Sequence, residues 1–261
     1  KLERKLRESI YKQRPRRIDI AGTVEEINKI TKEDLYKCYR HFYVPNNMFI
    51  LIVGKFDPKE ALEIIKEELD YRHKEELPEI KEVEEPVSVF KKTAIIKENI
   101  EVPKLALGIK IPTEKLSMDS IELDLYLHMI TTILFGSSSD FRERVRSKKL
   151  LNGLYLEWET IPKYKTFYLI ANSMNPDKLL KEIEFELDNL LIPKKSFERM
   201  KKVWIANEVK MIDNIDTTIS NLYDDILKYQ KIIPNKIEKI RNMKIEKLNK
   251  IIKEIDWNNK S

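Results

Sequence analysis

Residues 43–69 read YVPNNMFILIVGKFDPKEALEIIKEEL, and the fold is decided there. Residues 48–53 form a continuous apolar run, short enough to be a buried strand rather than a helix. Residues 54–57 turn the chain. Asp57 offers a cap, and Pro58 suits a first helical position, where its missing N–H is not needed. Ala61, Leu62, Ile65 and Leu69 then fall on one helical face. Upstream, Thr31 and Asp34 resemble a capping box in which Asp replaces Glu or Gln. Leu35, Cys38, Tyr39 and Phe42 recur at helical spacing, and Pro45 stops that helix near Val44. The order is helix, strand, turn, helix.

Farther out, residues 71–87 lose apolar periodicity and become a Glu/Lys-rich stretch holding Pro78 and Pro86, which reads as a linker. Strands are expected at 90–96 and 104–111, the second alternating Leu105, Leu107, Ile109 and Ile111. Asp119 or Ser120 caps a long apolar helix ending at Phe135, and residues 136–140 end it and cap the next, which carries Phe141, Val145 and Arg146. Strands at 153–159 and 166–173, helices at 176–191 and 196–213, a looser helical stretch and a last helix at 245–255 complete the chain.

Two internal repeats are visible. Residues 49–69 superpose on 167–187, a shift of 118, each an apolar strand, a turn, and a proline-opened amphipathic helix. Residues 25–46 superpose on 238–259, a shift of 213, aligning Ile27 with Ile240, Leu35 with Leu248 and Asn46 with Asn259. The chain stops two residues after Asn259, where this repeat calls for a strand. A duplication of this period needs two domains of about 210 residues each. Both ends are therefore expected to be cut from something longer, and Lys1 in place of an initiating Met agrees.

Composition narrows the function classes. The net charge of +5 arises from 49 basic and 44 acidic residues interspersed along helices, the pattern of solvated faces with i,i+4 pairs. Neither nucleic acid nor a membrane is an expected partner, since basic clusters are short and no run approaches the ~18 apolar residues of a membrane span. The basic segment 1–17 has no secretory-signal pattern. A lone cysteine, Cys38, cannot form an internal disulfide, which favours a reducing, cytoplasmic setting.

Pro15, residues 18–23 (IDIAGT), Ile27, Ile30, Leu35, residues 43–48 (YVPNNM) and Gly54 together resemble the insulinase/pitrilysin family of zinc peptidases, in its bacterial processing-type branch. The order after the linker, a helix into Phe135-Gly136-Ser137-Ser138, then 142–153, then a strand, is similar to that family's second domain. The resemblance implies an α/β (α+β) fold: duplicated domains, each a mainly antiparallel sheet with helices packed on one face, enclosing a chamber for an extended peptide. It assigns 1–72 to the remnant of a first, catalytic-type domain, 73–88 to a linker, and 89–261 to a second, inactive domain cut before its last strand. Active members carry H-x-x-E-H on a first-domain helix, two histidines and a downstream glutamate holding zinc. The metal polarises the carbonyl and acidifies the attacking water.

None of that set is in this sequence. His41, His73 and His128 include no pair at ligand spacing, and His73-x-x-Glu76 is followed by Leu77 where the second histidine belongs. No metal site and no cofactor are expected in this chain, with zinc in a full-length parent. The resemblance points to substrate contact instead. Many members place an arginine after the glycine turn and a tyrosine seven residues later, stabilising charge on the scissile carbonyl. Arg146 takes the arginine's place, Gly153 stands at the tyrosine's position, and Tyr155 shares its strand face. The expected function is a non-catalytic, C-terminal wall of a peptide chamber. Peptide and the missing N-terminal domain are its partners, and the resemblance also allows a homodimer or a paralogous subunit. The alternative is a metal-free partner subunit or peptide-binding scaffold of the same fold.

Overall fold

A computed structural model describes residues 1–69, 76–79, 81–114 and 116–261. In chain order its elements are α1 (Leu2–Ile10), α2 (Val24–Ile27), α3 (Lys32–Phe42), α4 (Pro58–Leu69), β1 (Lys104–Pro112), α5 (Ser120–Phe135) and α6 (Asp140–Ser147). There follow β2 (Gly153–Ile161), β3 (Tyr164–Asn172), α7 (Pro176–Asp188), α8 (Lys194–Ile212), α9 (Ile215–Tyr229), α10 (Lys236–Arg241) and α11 (Ile245–Glu254). Two compact units emerge. Unit 1 comprises Lys1–Ile18, Glu84–Val209 and Pro234–Ser261, and unit 2 comprises Asp19–Val83 and Lys210–Ile233.

Unit 1 is built on an antiparallel sheet of order β1-β3-β2, with Gly108 opposite Tyr168 and Tyr155 opposite Ile170. The period-two alternation divides its faces. Leu107, Ile109, Ile111, Phe167, Leu169 and Ala171 point into a core closed by α5, α6, α7, α8, α10 and α11. Helix α5 is apolar almost all round, and accordingly Leu123, Tyr126, Leu127, Met129, Ile130 and Phe135 are all buried. Each such burial contributes roughly 1.5–3 kcal/mol. Ile109 bridges Lys260, and Gly108 and Ser261 exchange backbone hydrogen bonds of 2.9 Å, so strand pairing resumes on the outer edge of β1 just past Asn259.

The opposite face receives α1. Leu6, Ile10 and Tyr11 pack there with Ile161, Tyr164 and Tyr168. Close approach requires Gly108, because a β-carbon there would lie 2.1 Å from Ile10 Cδ1. Unit 2 contains α2, α3, α4 and α9, with the Phe49 ring 5.9 Å from that of Tyr223. Thr31 and Asp34 do close a capping box, and Thr23 with Glu26 closes a second that the sequence reading passed over.

Some expectations fail. Residues 48–53 pair with no strand among the described residues, because nothing in unit 2 offers an edge to them. Residues 90–96 are not a strand either: Phe90 and Lys91 spend their N–H groups on Ile10 O and Ser9 O at the end of α1. Separately from the expected boundaries at 1–72 and 89–261, Lys1–Ile18 groups with the sheet and Lys210–Ile233 with the earlier helices. Part of the expected linker, with His73, lies outside the described residues, but Glu85 is fastened into unit 1.

The 213-residue repeat extends further than its sequence match. Shifted by 213, α3 begins where α11 begins, α2 falls on α10, and Leu2, the start of α1, falls on Ile215, the start of α9. The two counterpart helices are exchanged. Helix α1 belongs to unit 1 with α10 and α11, while α9 belongs to unit 2 with α2 and α3.

Candidate functional site

Helix α6 presents the arginine that the sequence singled out. Ser139 caps it by accepting the Arg142 N–H (3.1 Å), and Phe141 and Val145 anchor it in the core. Its end is a Schellman motif: Lys149 is left-handed (φ 55°), Leu150 N–H donates to Val145 O, and Lys149 N–H donates to Arg146 O, both at 2.9 Å. The backbone of Arg146 is therefore fixed while its side chain is exposed.

The neighbouring arginines are committed elsewhere. Arg142 donates to Phe135 O at the end of α5 (3.0 Å), and burial, aided by the nearby Arg146 charge, lowers its pKa. Arg144 is clamped to α7 through Glu182 (2.9 Å) and Glu186, and Lys148 reaches the other Glu182 oxygen (2.5 Å). The Lys148 and Arg144 hydrogen bonds hold Glu182 below the usual carboxylate range. No ion pair engages Arg146 among the described residues, which makes it the cation of this helix available to a ligand.

On β2, Leu154, Leu156 and Trp158 turn toward the core, so Gly153 and Tyr155 share the other face. Tyr155 is 56% exposed, and the adjacent Glu157 charge raises its phenol's pKa. A side chain at Gly153 would meet the Asn172 amide, 3.3 Å from the β-carbon, on the neighbouring strand. Arg146 and Tyr155 make no hydrogen bond to each other, and each is a separate exposed group.

The donor set does not suit zinc. Among the described residues no group of three His, Cys, Asp or Glu side chains could hold a metal ion. His41 spends Nδ1 on Lys37 O (2.8 Å), and His128 lies 6.1 Å from the Trp158 ring.

A polar cluster between α1 and the sheet was missed by sequence reading. The Glu85 carboxylate accepts the N–H groups of Lys12, Gln13 and Arg14 (2.9, 2.9 and 3.0 Å) and pairs with Lys110 Nζ at 2.8 Å, both side chains wholly buried. Burial opposes its charge, yet Lys110 and the three N–H donors hold Glu85 below the usual range. Burial likewise lowers Lys110. Tyr164 donates to Glu85 O (2.6 Å), Tyr11 and Thr166 share a 2.6 Å hydrogen bond, and Tyr168 donates to Glu159 (2.8 Å). Burial pushes the Tyr11 phenol up to about 12 and raises Tyr168 as well. The signal in the sequence was Lys110, a charge inside the alternation of β1.

Comparison with known proteins agrees with this picture. Residues 29–203 match the peptidase M16 inactive domain. The chain is 34% identical over 213 residues to the uncharacterized zinc protease YmfH of Bacillus subtilis, covering 79% of this chain and 50% of that protein. It is 24% identical over 220 residues to zinc protease PqqE of Helicobacter pylori, covering 79% of this chain and 48% of the relative. The chain thus spans about half the length of the curated relatives it matches. Among solved structures, an M16-like peptidase from Alicyclobacillus acidocaldarius superposes with a TM-score of 0.85 at 26% identity, over 98% of this chain and 63% of that one. A protease from Helicobacter pylori shares the fold, with a TM-score of 0.84 at 20% identity over 99% of this chain and 64% of that one. The insulinase/pitrilysin resemblance read from residues 15–58 and the match over 29–203 meet in one conclusion: the chain belongs to the peptidase M16 family, through its inactive domain.

Proposed function

We propose that this chain is the non-catalytic wall of the peptide chamber of a longer zinc peptidase. The observation that carries the reading is the match of residues 29–203 to the M16 inactive domain, in a chain whose described residues offer no metal-holding set. Relatives of about twice the span that are named zinc proteases favour a peptidase over a metal-free scaffold. Zinc would be held by residues outside this chain, where it would supply Lewis-acid activation of water and carbonyl. This chain's contribution is to bind and orient an extended peptide, with Arg146 donating to the carbonyl oxygen as negative charge develops on it. Tyr155 is the second substrate contact. A cytoplasmic setting suits the lone, exposed Cys38 thiol, and cell fractionation tests it.

The experiment compares the gene-length protein with the 261-residue chain. The gene-length protein is expected to carry H-x-x-E-H upstream of Lys1, to hold one zinc per chain and to cleave peptides until chelated. The 261-residue chain should do neither. A gene-length protein without zinc and without chelator-sensitive peptidase activity overturns the proposal.

A further inference from the structure

Unit 1 holds a cavity of about 420 Å³ that shares no lining residue with Arg146 or Tyr155. Its size falls at the lower end of the roughly 300–1,000 Å³ of ligand clefts. One wall is the start of α5, with Asp119, Glu122 and Leu125. The other is α10, with Asn235, Glu238, Lys239 and Asn242. Met243 and Lys247, around the start of α11, complete the lining. The walls are firmly held. Ile240 of α10 and Leu248 of α11 lie in the core, and the Lys244 N–H donates to Tyr126 Oη on α5 (2.8 Å).

Most of the charge around this cavity is settled within the chain. Glu122 pairs with Lys247 (2.6 Å), and Glu238 pairs with Arg241. Asp119 caps α5 through Oδ1, which accepts the Ile121 and Glu122 N–H groups (3.0 and 3.1 Å), but it forms no salt bridge among the described residues. On the α10 wall, the side chains of Asn235, Lys239 and Asn242 make neither hydrogen bonds nor ion pairs among the described residues. Lys239 and Asn242, three apart, share a helix face, and Asn235 stands at its start. The 213-residue repeat sets Lys239 apart. Left-handed Gly22 falls on left-handed Asn235, Thr23 on Lys236, and Glu26 on Lys239. In unit 2 the Glu26 carboxylate accepts the Thr23 N–H (2.8 Å) and Thr23 Oγ1 accepts the Glu26 N–H (3.2 Å), closing a capping box. In unit 1 both members of that box are lysines, and no side chain caps α10. An ammonium thus lines the cavity at the position where the other copy supplies a carboxylate.

We propose that this cavity binds a small zwitterion with an aliphatic side chain, an amino acid or a dipeptide. Lys239 and the Asn235 and Asn242 amides hold its carboxylate, Asp119 holds its ammonium, and its side chain lies against Leu125 and the buried Met243. A simple anion is a poorer ligand, because three carboxylates, Asp119, Glu122 and Glu238, line the same cavity. A simple cation is poorer too, since it leaves Lys239 without a partner while water is displaced around it. Molecules of this kind are what peptide hydrolysis releases. Calling the ligand a product therefore rests on the peptidase reading, whereas the binding itself does not.

The probe is L-leucyl-L-leucine, titrated calorimetrically at pH 7 into the 261-residue chain and into the chelated gene-length protein. Two blocked forms accompany it, acetyl-dileucine without the ammonium and dileucinamide without the carboxylate. Dileucine should bind, and blocking either end should weaken binding at least about tenfold, the loss of one hydrogen bond to a charged group. Lys239→Gln should weaken dileucine at least about tenfold and erase its advantage over dileucinamide. Asp119→Asn keeps a good cap on α5 and should erase the advantage over acetyl-dileucine. Both variants should melt with the parent, because both side chains are exposed. Absence of dileucine binding at about 10 mM overturns the proposal. So does binding that ignores the blocked ends, or that both variants leave unchanged, since the cavity is then only an apolar cleft. A gene-length protein that binds dileucine through Lys239 but shows no chelator-sensitive peptidase activity sinks the functional reading and leaves this site standing. An active zinc peptidase that fails to bind dileucine does the reverse.

Discussion

Replacing Glu85 with Ala strips a wholly buried Lys110 ammonium of its carboxylate partner. Breaking a buried ion pair by removing one member costs about 3–5 kcal/mol, because the remaining charge stays desolvated. Two features move the expectation to the lower end. Lys110 keeps the Pro86 carbonyl (2.6 Å) and sits 4.9 Å from the Tyr164 ring centroid. Lys12 and Gln13 are exposed, so water can take over their orphaned N–H groups. A loss of about 3 kcal/mol, at a urea slope of about 2 kcal/mol/M, lowers the unfolding midpoint by about 1.5 M. Adding Lys110→Met should recover part of this, since it removes the buried charge left without compensation. The second readout is local. Without the carboxylate, the segment around Arg14, Arg16 and Arg17 loses the anchor for its backbone, and tryptic cleavage there should accelerate at least tenfold in the native protein. A midpoint that moves by less than about 0.3 M, with unchanged cleavage, would refute the idea that this clamp fastens α1 to the sheet.

Alkaline pH attacks the same face from another side. Tyr11 is raised to about 12 from 10.0, so its protonated form supports folding fully below pH 10 and that support disappears as pH climbs through 12. Two units correspond to about 3 kcal/mol; Tyr11→Phe should flatten the pH 10–12 limb in a titration followed by circular dichroism. Gly108→Ala should destabilise unit 1 by about 1–3 kcal/mol in urea melts, because Ile10 has no room to retreat; an unchanged midpoint would show that α1 is loosely held. If the gene-length protein is the peptidase proposed above, Arg146→Ala should lower kcat/KM on the order of 100-fold and leave the melting temperature alone. Arg144→Ala should do the opposite, loosening α6 from α7 with little kinetic effect. If both variants keep full activity, Arg146 is only a surface charge.

Strands β1–β3 and helices α5–α8 and α11 were legible because their apolar periods agree with the burial they achieve. β1 alternates, α5 is apolar almost all round, and Asp119 caps α5 by accepting the Ile121 and Glu122 N–H groups as its sequence position suggests. The reading of residues 48–53 as a strand failed for a non-local reason. An apolar run becomes a strand only when another edge accepts its hydrogen bonds, and no described segment does so. The buried ion pair was hidden for a different reason. Glu85 sits among glutamates that look alike in sequence, and only the distant Lys110 and the turn at 12–14 distinguish it. The site residues were half visible: the Schellman turn that holds Arg146 follows from Val145 and Leu150, but the clamping of Arg144 by α7 depends on a helix about forty positions away.

The exchange of α1 and α9 has a consequence for how the polypeptide reaches its native state. During synthesis α1 emerges before the surface it must cover, which is made by β1 and β3, ending at Pro112 and Asn172. Its amphipathic face therefore waits until β3 is complete at Asn172 before the sheet can bury it. Helix α9 has the reverse history, arriving when α2, α3 and α4 have long been made. Contacts of such long sequence separation are slow to form, and chains that depend on them expose sticky intermediates meanwhile. Refolding from denaturant should show a late phase in which both helices gain amide protection together, and a ribosome-bound nascent chain ending before Asn172 should leave Tyr11 open to solvent.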